Sequence, residues 1–285
     1  MKSIFFTSLV TGTVVLTLVS IGVEMVFGGQ FSGRYLGWFL LSSALVVSIL
    51  GVIIRNSSMT GMKLGLFIFL IYFLIGHFNL LIEAYLFEVT NAADTALITT
   101  QGLLITLLVS PLLVLIFGKW KGNDEKLAFP SRTKLTWTWR IVLGDLLYVF
   151  FYLLAGFILY AVYPQLMDFY EEKIPPFSLM INTQFFRALV LIGVAILISR
   201  TTKLPLLQRA LIIGAFFAIV GGLAPLIVPD NDHMPDYIRF GHAFEVGISN
   251  SLFGFFLTLL MGQKIEVKKT ESDMKSPSTE SLNTA

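Results

Sequence analysis

Cysteine is absent from the 285-residue chain. That excludes disulfides, thiolate metal sites, cysteine nucleophiles and a lipid-modified cysteine. Charge is scarce: Asp, Glu, Lys and Arg make up 13% of the residues, about half the share in a soluble domain. Histidine occurs three times, at His77, His233 and His242, too few for a centre that needs four imidazoles from one chain. The net charge of +2 gives no reason to expect nucleic acid. No His-Glu-x-x-His helix, no phosphate-binding Gly-rich loop ahead of Lys-Ser/Thr and no Gly-x-Ser-x-Gly elbow is present.

Apolar residues are what the chain has, 55% of it, with a mean hydropathy of +0.80. A water-soluble core cannot hide that much apolar surface, so the exterior faces lipid. Runs of about 20 apolar residues, enough to span a bilayer, occur at 4–27, 35–54, 64–87, 96–117, 141–163, 179–199, 210–228 and 241–262. The expected fold is an all-α, polytopic bundle of eight spans, forming one membrane domain over 1–262. The first run follows Lys2 as a signal peptide would, but its apolar stretch is too long for a signal core and no Ala-x-Ala-like site follows it, so it reads as a retained span. The tail 263–285 lacks apolar periodicity and reads as disordered.

The connections orient this bundle. With alternate connections assigned to alternate sides, 16 of the 20 Lys and Arg fall with the N-terminus and three (Arg34, Lys173, Arg239) fall opposite. Positively charged segments resist translocation, so both termini are expected in the cytoplasm. Most loop carboxylates, including Glu88, Asp94 and Asp168, fall on the opposite side. The longest loop, 118–138, combines five Lys/Arg with Trp120 and Trp137. Its expected partner is the anionic lipid headgroup layer. In a bacterium this would be a protein of the cytoplasmic membrane.

Ionisable groups within spans are costly and face the bundle interior or a cavity. They are His77 and Glu83 in span 3, Asp145 in span 5, Arg187 in span 6, and His242 and Glu245 in span 8, with Glu24 near the outer end of span 1 and Gln184, Asn79 and Asn250 as neutral polar residues. At 1.5 Å per residue, Glu83, Gln184, Arg187, His242 and Glu245 lie roughly 5–13 Å below the outer boundary and His77 roughly 15 Å. Asp145 lies near the cytoplasmic end, where snorkelling or a pair with Arg140 accounts for it. Arg239, His242, Glu245 and Ser249 form one stripe on span 8. The i, i+3 pair His242/Glu245 can present an imidazole and a carboxylate to one point.

Three readings follow. Glu83, Arg187, His242 and Glu245, with Gln184 and His77, line an outward-side pocket that binds a small solute or ion and moves it. Alternatively, His242, Glu245 and Glu83 hold a divalent metal, or His77 and His242 a haem, in an intramembrane enzyme. In the third reading, Arg187 pairs with a carboxylate as a helix lock and nothing more. Asp230, Asp232 and His233 offer loose cation ligands in the loop before span 8. Gly221-Gly222-Leu-Ala-Pro225 marks a break near the outer end of span 7, and Pro111 is expected to kink span 4. Gly33-x-x-x-Gly37 and Gly61-x-x-x-Gly65 are candidate close-packing motifs. Gly76-His77 and Gly241-His242 recur, but at non-equivalent positions in helices of opposite direction, so no internal repeat is read.

Overall fold

Among the described residues, eight helices are long and apolar enough to cross a membrane. They are span 1 (Ser3–Val26), span 2 (Gly33–Asn56), span 3 (Gly61–Leu86), span 4 (Ala92–Ile116), span 5 (Lys134–Val162), span 6 (Phe177–Thr201), span 7 (Leu206–Leu226) and span 8 (Asp236–Met261). The computed structural model describes residues 2–29, 32–129, 131–229 and 234–262. The tail after 262 and the proposed cation ligands Asp230, Asp232 and His233 lie outside them. The protein is a multi-pass membrane protein, nearly all-helical, with no strand among the described residues.

Span 5 begins seven residues before the apolar run at 141–163. Thr133 caps it there, its Oγ1 accepting from Thr136 N at 3.2 Å. Trp137 and Trp139 are therefore helical, and Trp137 lies between the guanidiniums of Arg132 and Arg200 at 5.6 and 5.5 Å. Other helix ends rest on arginine. Arg209 donates to Ser199 O at the end of span 6. Arg239 donates to Leu226 O and Val228 O beyond span 7. Arg132 and Arg140 reach the last carbonyls of span 8, at Met261, Gly262 and Leu260. A guanidinium satisfies orphan carbonyls and offsets the negative end of the helix dipole, which matters most where water is absent.

The pairing expected for Asp145 does not form. Arg140 is turned to Leu260 O, and Asp145 Oδ1 is buried without a hydrogen-bond partner. Span 4 runs as one α-helix across Pro111, which packs against Gly65 of span 3. Gly65 thus serves close approach, whereas a Cβ at Gly33 or Gly37 would meet none of the described residues within 4 Å.

Spans 2 to 4 and 6 to 8 share a common register, and spans 1 and 5 stand at corresponding places ahead of them, which corrects the reading of no repeat. A shift of 145 residues carries the end of span 2 onto the end of span 6 (Asn56 to Thr201). The same shift carries the start of span 3 onto that of span 7 (Gly61 to Leu206) and the end of span 4 onto that of span 8 (Ile116 to Met261). Spans 3 and 7 share a defect at the same point: 13 residues of α-helix, then a five-residue π segment, Leu74–Phe78 in one and Ile219–Leu223 in the other. Neighbours match as well. Span 1 packs on spans 2 and 4, and span 3 on span 4; span 5 packs on spans 6 and 8, and span 7 on span 8.

Contacts between the halves are reciprocal. Ser57 and Thr202, equivalent residues, form an antiparallel bridge flanked by Ser58 N→Thr201 O and Lys203 N→Asn56 O, at 2.7 and 2.9 Å. At the π segments, Gly76 faces Val220 and Gly221 faces Ile75, each so close that a Cβ would fall 3.1 Å from the other side chain. Each bond or contact maps onto its counterpart under the shift, as a two-fold relation requires. Four spans return the chain to its starting face, so the halves run in the same direction and the pseudo-axis lies along the bundle.

Candidate functional site

Between span 3 of the first half and spans 5, 6 and 8 of the second lies a cavity of about 570 Å³, within the range of small-molecule sites. It sits toward the face that carries the connections 163–176 and 227–235. Span 5 forms its outer wall through Tyr148, Tyr152, Gly156 and Tyr160, a four-residue stripe that places three phenols on one side of the helix. Span 5 has the least buried central stretch of the eight, 11% against 50% for span 7. Its other side therefore faces lipid, and Phe157, on the rim of the cavity, is 73% exposed. The connection between spans 5 and 6 is longer than its counterpart 27–32 and contains a short helix, Gln165–Tyr170, which closes one end with Leu166 and Tyr170.

The structure brings the pocket residues read from sequence into this region. Arg187 Nη1 lies 2.6 Å from Glu83 Oε2 and 2.8 Å from Gln184 Oε1, and its guanidinium sits 5.9 Å from the Tyr148 ring centre. Glu83 and Arg187 belong to different halves, so this ion pair crosses between them. On span 8, His242 Nδ1 lies 2.9 Å from Glu245 Oε2, and His242 Nε2 lies 2.9 Å from Tyr170 Oη. Burial raises the Tyr170 phenol above its ordinary pKa, so it stays a donor. The roles of the two ring nitrogens follow the tautomer: where the phenol donates to Nε2, Nδ1 carries the proton and donates to Glu245. Tyr170, His242 and Glu245 thus form one hydrogen-bonded chain.

His77 also lines the cavity, with its ring against Tyr72 and Phe73 and over Gly102, where a Cβ would come within 2.3 Å of Nδ1. Gly102 leaves room for that imidazole. Arg239 leaves the stripe. It is fully buried, pairs with Asp236 at 2.7 Å and serves the end of span 7. The break expected at Pro225 takes the form of the π segment before it. Proline cannot donate to the Gly221 carbonyl; Asn250 Nδ2 lies 3.3 Å from that oxygen and 3.4 Å from Phe217 O instead.

No protein family, characterised protein or solved structure matches this chain.

The second half of the molecule supplies a comparison of its own. Under the 145-residue shift, Arg187 corresponds to Ser42, Glu83 to Val228, His242 to Leu97, Glu245 to Thr100, Gln184 to Phe39 and His77 to Gly222. None of the ionisable groups has an ionisable counterpart. Where the ion pair would recur, Ser42 Oγ donates to Ala224 O at 2.7 Å, between span 2 and span 7. Among the described residues, no three His, Asp or Glu side chains form a group that could hold a metal ion. Glu83 faces Arg187, and both nitrogens of His242 are engaged. As arranged, His242, Glu245 and Glu83 do not come together as such a group.

Proposed function

We propose that the protein is a transport-type membrane protein that binds a small amphiphilic solute in this cavity and moves it across the bilayer. One observation carries the reading: the ionisable cluster occupies one of two equivalent clefts. A lock demanded by the scaffold would be needed in both, and at the places of Glu83 and Arg187 the cleft beside span 7 has Val228 and Ser42. The charged groups therefore serve something other than holding the helices, and an apolar cavity of ligand size lies beside them.

The location agrees. In proteins built from parallel repeats, sites form where the halves meet, and relative movement of the halves exposes them to alternate sides. Glu83 and Arg187 join the halves at such a place. The π segments of spans 3 and 7, packed on each other, supply irregular backbone at the contact where that movement would pivot. The charge asymmetry of the loops supports a reading in which the cavity lies in the outer half of the membrane and both termini are cytoplasmic.

Uptake tests this. Proteoliposomes containing the purified protein are given a membrane potential and a panel of small cationic, anionic and neutral amphiphiles. Saturable uptake of at least one solute is expected for wild type and is lost in Glu245→Gln with the thermal midpoint preserved. No protein-dependent uptake across the panel would reject the reading. The Tyr170–His242–Glu245 chain favours one second reading, acid–base chemistry on a lipid-like substrate. It predicts a chemically altered lipid after incubation, lost in His242→Ala and detectable by mass spectrometry.

A further inference from the structure

The charged groups of the cavity are not equally open to it. The side chain of Glu83 is 27% exposed and that of Glu245 11%, whereas that of Arg187 is 4% exposed. The guanidinium is covered by its partners: Glu83 and Gln184 hold Nη1, and Tyr148 lies under its face. A solute in the cavity meets carboxylate oxygens before it meets the cation. At formal charges Arg187 cancels Glu83, which leaves the carboxylate of Glu245, hydrogen-bonded to His242. Around that charge stand Tyr148, Tyr152 and Tyr160 from span 5 and Tyr170 from the short helix. Aromatic faces carry negative quadrupole density and attract organic cations, most strongly where water is excluded.

We infer that the solute is a lipophilic monocation, its charge near Glu245 and its apolar body against the span-5 aromatic stripe. This rests on the reading of the cavity as a solute site. An anionic amphiphile would place its head beside Glu83 and Glu245 while the one guanidinium is already occupied. A small hydrated metal ion would leave most of the apolar wall without a partner. A monocation satisfies both the residual charge and the wall, and its entry from the bilayer past Phe157 requires no polar channel.

Two probes of nearly the same size and shape and opposite charge decide the point: tetraphenylphosphonium and tetraphenylborate. Binding of each is measured by equilibrium dialysis against protein-containing nanodiscs, with empty nanodiscs as the reference. Wild type is expected to take up tetraphenylphosphonium saturably, one per protein, with no protein-dependent uptake of tetraphenylborate. Glu245→Gln should bind the cation about tenfold or more weakly, the scale of one lost charge contact. Equal binding of both ions, or preference for the borate, overturns the inference on wild-type protein alone, whatever the variant's stability. Unchanged phosphonium affinity in a folded Glu245→Gln protein also overturns it. Either result leaves the solute site standing, because that fails only if the whole uptake panel is negative.

Discussion

The cleft beside span 3 and the cleft beside span 7 are framed by corresponding helices and hold different chemistry. The first contains Arg187–Glu83, the Tyr170–His242–Glu245 chain and an apolar cavity. At the corresponding place the second has Ser42 on Ala224 O. The pair teaches which residues belong to the scaffold. The Ser57–Thr202 bridge, the facing π segments and the close contacts of Gly76 and Gly221 recur under the shift. The ionisable groups do not, and neither does the short helix that closes one end of the cavity.

The comparison can be broken most forcefully at the ion pair. Arg187→Ala alone strands Glu83 beside a low-dielectric wall. Breaking a buried pair costs about 3–5 kcal/mol, less here because Glu83 is partly exposed to the cavity. Differential scanning fluorimetry in detergent should show a large fall in midpoint, and near wild-type stability would mean that the pair is solvated and weak. Next in size is a glycine contrast between equivalent positions. Gly102→Ala pushes a methyl into His77, whereas a methyl at Gly247 would meet none of the described side chains within 4 Å. The first should destabilise by about 1–3 kcal/mol; the second should be neutral or stabilising by about 0.5 kcal/mol, as an alanine gained in a helix. Equal effects in the same assay would contradict the contacts assigned to the two halves.

A smaller effect is expected at the π segment of span 7. Asn250→Leu removes the side-chain donor near the Gly221 carbonyl that Pro225 cannot serve. A loss of about 1 kcal/mol follows, with faster hydrogen exchange in 219–226 by mass spectrometry. Unaltered exchange there would show that the asparagine is idle. The smallest effect lies in the loops. Lys63 donates to Asp124 at 2.8 Å and Thr60 N at 2.9 Å, and these hydrogen bonds lower the carboxyl's pKa. A lowered folded-state pKa contributes stability above the unfolded value, about 3.9, and loses it as pH falls through the folded one. Wild type should therefore lose slightly more stability than Asp124→Asn on acidification below pH 4.

Eight spans were legible in the sequence because hydrocarbon demands long apolar helices and charge marks their ends. The true start of span 5 was not, since Lys134 to Arg140 is a polar stretch that continues a helix past the apolar run. The cavity's charged lining was legible too: ionisable residues are so few in the spans that Glu83, Arg187, His242 and Glu245 single themselves out. Its aromatic wall was missed, although Tyr148, Tyr152 and Tyr160 recur at helical spacing, because tyrosine among so many apolar residues carries little contrast. The repeat was hidden for a related reason. Aliphatic side chains exchange freely in an apolar interior, and Arg55/Arg200, Gly76/Gly221 and Gly102/Gly247 are the identical pairs between 36 and 117 that are not aliphatic. The recurring Gly-His dipeptides pointed elsewhere, since under the shift neither falls on the other.

The most direct test is to give the first cleft the residues of the second. In Glu83→Val/Arg187→Ser each position of the ion pair takes the side chain that its counterpart already carries. If the cluster is chemistry added to a scaffold that does not need it, the double variant's thermal midpoint in detergent will lie close to wild type and well above that of Arg187→Ala. A midpoint as low as that of the single variant would show that the first cleft depends on its ion pair to fold, and would contradict the account.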